Sequence, residues 1–84
     1  MISTLKYINR TKNSIEIVLE PWAEEFLLMP NQKLELIAEY EGNCDYCQME
    51  QNEDCVVFFA WEHSLVKVFI DGEDKTKTSG SIKF

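Results

Sequence analysis

Two stretches of alternating apolar and charged residues, Ser14-Ile15-Glu16-Ile17-Val18-Leu19-Glu20 and Lys33-Leu34-Glu35-Leu36-Ile37-Ala38-Glu39-Tyr40-Glu41, constrain this chain more than anything else in it. In an extended strand successive side chains point to opposite faces, so Ile15, Ile17 and Leu19, and Leu34, Leu36, Ala38 and Tyr40, enter a core while the carboxylates stay in water. The same reading extends to residues 2–8, 55–61 and 65–70, with a short last strand over 81–84. Turn chemistry separates them at 9–13, 30–32, 41–43 and 71–74, where Asn, Asp, Gly and Pro collect. Short strands between such turns predict an all-β fold, an antiparallel β-sandwich or small partly open barrel of six to seven strands.

Residues 20–30, Glu-Pro-Trp-Ala-Glu-Glu-Phe-Leu-Leu-Met-Pro, fit two structures. A helix would begin at Pro21, carry Glu24 and Glu25 in its first turn and stop at Pro30. A strand over 23–29 is favoured, because a hairpin through residues 30–32 is then the shortest connection to the next strand. The Glu20-Pro21-Trp22-Ala23-Glu24-Glu25-Phe26 run, followed by Pro30 and Leu34-Glu35-Leu36, resembles a pattern in small uncharacterised bacterial β-proteins. That resemblance implies a minimal sandwich module and carries over no functional residues.

The chain has 84 residues, room for one domain, with 45% apolar and 12% aromatic residues to build its core. Fifteen acidic against eight basic residues give a net charge of -7, which repels phosphate backbones and anionic lipids and argues against nucleic acid or a membrane as partner. No stretch approaches the roughly 20 apolar residues of a membrane span. Three cysteines, an odd number, fit the reducing cytoplasm with free thiols.

Cys44-Asp45-Tyr46-Cys47 offers a thiolate pair to a metal, and Cys55 and His63 could complete a zinc site. Cys55 and His63 are eight positions apart, however, and an extended strand separates such ends by roughly 25 Å. A metal held by Cys44, Cys47 and His63 is therefore the alternative reading. The simpler expectation is that Cys44 and Cys47 lie exposed in an acidic loop, Cys55 is a small core residue and His63 occupies a turn. Acidic neighbours oppose a thiolate nucleophile. Glu24 and Glu25 are adjacent, but the period-two recurrence of Glu16, Glu20, Glu35, Glu39 and Glu41 reads as a solvated sheet face before it reads as an acid-base pair. No Gly-rich phosphate loop or nucleophile elbow is present, and no cofactor is implied.

Trp22 and Trp61 stand beside turns, where each can anchor a partner or pair its indole nitrogen with a backbone carbonyl. Residues 56–61 contain no polar side chain, which predicts cover on both faces, a second sheet on one side and a partner subunit on the other. Together these features point to a non-enzymatic binding or assembly module, immunity-like or regulatory, that recognises a basic protein or forms a homodimer. Its expected interface combines Trp22, Phe58, Ala60 and Trp61 with the steering carboxylates Glu35 and Glu39; a small-ligand or metal-binding sandwich is the alternative.

Overall fold

The computed structural model describes residues 1–42 and 47–83. Among them lie the strands β1 (Ile2–Ile8), β2 (Ile15–Glu20), β3 (Glu24–Leu28), β4 (Lys33–Tyr40), β5 (Gln48–Gln51), β6 (Cys55–Phe59), β7 (Ser64–Ile70) and β8 (Glu73–Asp74). They form a sandwich of two open four-stranded sheets, β1-β4-β7-β8 and β3-β2-β6-β5. The fold class is the expected one, with eight strands where six to seven were predicted. One pairing departs from the antiparallel expectation, since β2 and β6 run parallel, Val18 beside Val57 and Leu19 beside Phe58.

The alternation in the sequence becomes the core. From one sheet come Ile15, Ile17, Leu19, Phe26, Leu28, Val56 and Phe58, and from the other Leu34, Leu36, Ala38, Tyr40, Val66, Val68 and Ile70, all buried. Tyr7 of β1 meets Phe58 of β6 edge-on across the layers, ring centroids 5.9 Å apart. Ala60 and Trp61 follow β6 and are also buried, closing one end of the core.

The strand favoured over 23–29 forms as β3 at Glu24–Leu28, after a turn at 21–23, but its connection to β4 is not a hairpin: β3 and β4 belong to different sheets. The turn at 29–32, with Asn31 at φ 67, carries the chain across the sandwich. Asn9 makes that crossing possible. Fully buried, it pairs its backbone with Gln32 and Asn31, donates from Nδ2 to the carbonyls of Asn13 and Leu28, and accepts at Oδ1 from the N–H and hydroxyl of Thr11. Two sheet-crossing turns are thus tied at one amide, which satisfies backbone groups that two adjoining loops would otherwise leave without partners.

Asp71 and Gly72, at φ 50 and 80, form a two-residue turn that pairs Ile70 with Glu73. This is the left-handed geometry that Asp-Gly adopts in tight hairpins. The strand expected at 81–84 does not form over the described part of that segment. Instead residues 75–82 run as a strap with a single 3-10 turn (Thr78–Gly80), because side-chain hydroxyls occupy the β7 edge: Thr76 accepts from the Val68 N–H, and Ser79 donates to the Val66 carbonyl. The strap then reaches β3, where Glu24 accepts the Ser79 N–H and Lys77 donates to the Glu25 carbonyl.

Candidate functional site

The two sheets present different outer faces. On the β1-β4-β7-β8 sheet, Lys6, Lys33 and Lys67 alternate with Glu35 and Glu39 among Ile2, Ile8, Ile37, Leu65 and Phe69. Cross-strand register sets opposite charges together, Lys6 opposite Glu35 with their charged atoms 3.9 Å apart. Strands β2, β3, β5 and β6, by contrast, contain five carboxylates and no Lys, Arg or His. Glu24 turns inward to the strap, while Glu16, Glu20, Glu25 and Glu50 face out.

These four carboxylates surround an apolar strip. Register sets Val18 between Glu25 and Val57, with Glu50 beyond Val57; the next row sets Phe59 between Glu20 and Gln48. A third row runs Leu27, Glu16, Cys55. Leu27 is 60% exposed and Phe59 39%, with Val18, Val57 and Cys55 half-buried and Met29 extending the strip. Between β2 and β3 a shallow cleft of about 220 Å³ is lined by Glu16, Glu25, Phe26 and Leu27. The cation at this margin is already engaged, since Lys77 lies 4.5 Å over the Phe26 ring and bonds the Glu25 carbonyl. Burial, with the Glu16 and Glu25 charges, pushes the Cys55 thiol above its ordinary pKa. The negative field of the face is felt by a neutral group within it.

The expected interface residues separate. Phe58, Ala60 and Trp61 are core residues at 0%, 7% and 3% exposure, so they offer no surface to a partner; of the two covers inferred for 56–61, the second sheet lies on the Val56 and Phe58 side, while Val57 and Phe59 face outward. Trp22 is half-buried against the core and donates from Nε1 to the Ile82 carbonyl, which makes it an anchor for the strap. Glu35 and Glu39 lie on the sheet that carries the strand lysines. Glu39 also borders two clefts, of about 320 and 210 Å³, that hold Lys83 and Lys67.

Of the metal candidates, Cys44 lies outside the described residues. Cys47 is half-buried and packs on the core, and burial raises its thiol pKa to about 11. His63 is exposed in the β6–β7 turn at φ 55. No group of three or more His, Cys, Asp or Glu among the described residues is arranged to hold a metal ion. Cys55 is corrected from a core position to the outer face, since it shares the outward side of β6 with Val57 and Phe59. Glu24 and Glu25 point to opposite sides of their strand and do not share a site.

The residues that sequence reasoning missed are Val18, Leu27, Val57 and Phe59. Strand parity was the available signal: with Val56 and Phe58 inward, Val57 and Phe59 must face out, on the side of Glu16 and Glu20. Compared with protein-family models, curated proteins and solved structures, the chain has no significant match among them.

Proposed function

We propose that this chain is a non-enzymatic protein-binding module whose recognition surface is the outer face of the β3-β2-β6-β5 sheet. Its partner is a basic protein segment that sets an apolar side chain on the Val18-Val57-Phe59 strip and cations against Glu16, Glu20, Glu25 and Glu50, in the manner of an immunity protein or small cytoplasmic regulator. The carrying observation is an exposed apolar strip ringed by carboxylates on four strands that contain no cation. Apolar centres supply the affinity of protein interfaces, while uncompensated rim charge supplies specificity and encounter rate. A solvated face would satisfy the carboxylates equally well, but not the exposure of Phe59 and Leu27 among them. The free thiols of Cys47 and Cys55 suit a reducing compartment, and no helix among the described residues is long and apolar enough to cross a membrane.

A peptide of alternating Lys and Leu is a suitable probe, with a Glu-Leu peptide as control. Titrated into the isotope-labelled chain, the basic peptide is expected to shift the amide resonances of Val18, Leu27, Val57 and Phe59, with affinity falling as salt rises. Shifts confined to the β1-β4-β7-β8 sheet, or equal binding of the acidic control, would contradict the proposal.

A further inference from the structure

Each sheet of an open sandwich has two edges, and an unprotected edge is a template for another strand. Three of the four edges here are blunted. The strap lies along β3, bonding Glu24 and Glu25 through Ser79 and Lys77. Strand β8 is two residues long. Strand β5 has four residues including Glu50 and leads into Glu53 and Asp54, so two copies pairing there would oppose carboxylates.

Strand β1 is different. It runs seven residues without proline, and its one charged side chain, Lys6, already faces Glu35. Met1 and Tyr40 exchange both backbone bonds, as a hydrogen-bonded antiparallel pair does. The alternation from that point turns the N–H and C=O groups of Ser3, Leu5 and Tyr7 to β4 and those of Ile2, Thr4, Lys6 and Ile8 to the free edge. No described residue bonds to that edge. Its inward side chains Ser3, Leu5 and Tyr7 are only half-buried, whereas Leu34, Leu36 and Ala38 of the adjacent strand are sealed; outward, Ile2 is 71% and Ile8 40% exposed.

We infer that β1 is a homodimerisation edge, pairing antiparallel with β1 of a second copy to form one continuous eight-stranded sheet. The occupant follows from the strand's own two-fold complementarity. With Leu5 opposite Leu5 of the second copy at the axis, Ile2 falls opposite Ile8 and Thr4 opposite Lys6, so every free edge group finds a partner. In this register both exposed isoleucines are covered, and no like charges face each other. Shifting the pairing by two residues toward the C-terminus would set Lys6 against Lys6. The β3-β2-β6-β5 face stays open in this dimer, so the inference stands apart from the binding proposal.

Light scattering on the intact chain, from micromolar to millimolar concentration, reads the mass against the 9.8 kDa of one copy. A concentration-dependent doubling is expected, strengthened by salt because two copies of net charge -7 repel, the opposite salt response to that of a basic partner. Thr4 is exposed and faces Lys6 of the second copy, so Thr4→Lys is expected to weaken the dimer and Thr4→Glu to tighten it, each by roughly three- to thirtyfold over the two symmetric pairs. Hydrogen exchange at Thr4, Lys6 and Ile8 is expected to slow as the dimer fills. A chain that stays monomeric at millimolar concentration, or a dimer indifferent to both Thr4 substitutions, would overturn the inference.

Discussion

At Asn9 one buried amide ties two loops that cross between the sheets, with three of its side-chain bonds going to Thr11 and Asn13 of its own loop and the fourth to the Leu28 carbonyl at the end of β3. Asn9→Ala would leave the Leu28 carbonyl inside the fold without its donor and release the Thr11 turn. A loss of about 2–3 kcal/mol is expected, readable as a drop in melting temperature of roughly 10–20 °C for a domain of this size. Asn9→Asp is expected to fare no better at neutral pH, because it replaces a donor to two carbonyls with an anion. Cys47 gives a second residue-scale outcome. A thiol pKa of about 11 against an ordinary 9.0 leaves about a hundredfold less thiolate at neutral pH, so alkylation of folded Cys47 is expected to lag the unfolded chain by that order. Because the folded pKa is the raised one, the stability this thiol contributes is full below pH 9 and is lost as pH rises toward 11. Alkylation of Cys47 at the rate of an unfolded thiol would contradict its burial.

Strand β6 carries the sandwich's two environments on neighbouring residues. Phe58 is sealed beneath Tyr7 and Phe59 is open to solvent, so Phe58→Ala is expected to cost about 3–5 kcal/mol and Phe59→Ala less than about 1 kcal/mol in chemical denaturation. Equal losses would contradict the assignment of faces. The strands were legible in proportion to their alternation: 2–8 and 33–40 form over the residues expected, because one side of each meets a core. Strand β5 was illegible because Gln48, Met49, Glu50 and Gln51 are all exposed, so burial imposes no pattern on them. Strand β8 is hidden inside the turn expected at 71–74: Asp71-Gly72 alone closes the hairpin, and Glu73 and Asp74 already pair with Ile70 and Phe69. The strap was hidden because its bonds are long-range, Ser79 to Val66 and Lys77 to Glu25, and the local sequence has no periodicity to announce them. Phe58 and Trp61 were misplaced as an interface for a related reason. An all-apolar run does not say which of its faces meets the second sheet.

Over the whole molecule, charge is distributed by sheet. The three strand lysines all belong to β1, β4 and β7, in a sheet that also carries Glu35, Glu39, Glu73 and Asp74, while the charged residues on the strands of the other sheet are all carboxylates. Strand cations are thus confined to one sheet, and the proposed basic partner would be steered toward the other before any apolar contact forms. This distribution could not be read before the topology was known, because Glu16 and Glu35 sit in equivalent alternating runs and only strand order assigns them to opposite sheets. The central claim, that the β3-β2-β6-β5 face is the recognition surface, meets its most direct test in the association rate of the basic peptide with two charge-matched double variants. Reversal of Glu16 and Glu25 to Lys is expected to slow association at low salt by about tenfold or more and to flatten its salt dependence, while reversal of Glu35 and Glu39, which changes net charge equally, has a much smaller effect. Equal slowing by the two pairs would mean that net charge alone steers the encounter, and a larger effect from Glu35 and Glu39 would move recognition to the opposite sheet; either result contradicts the account.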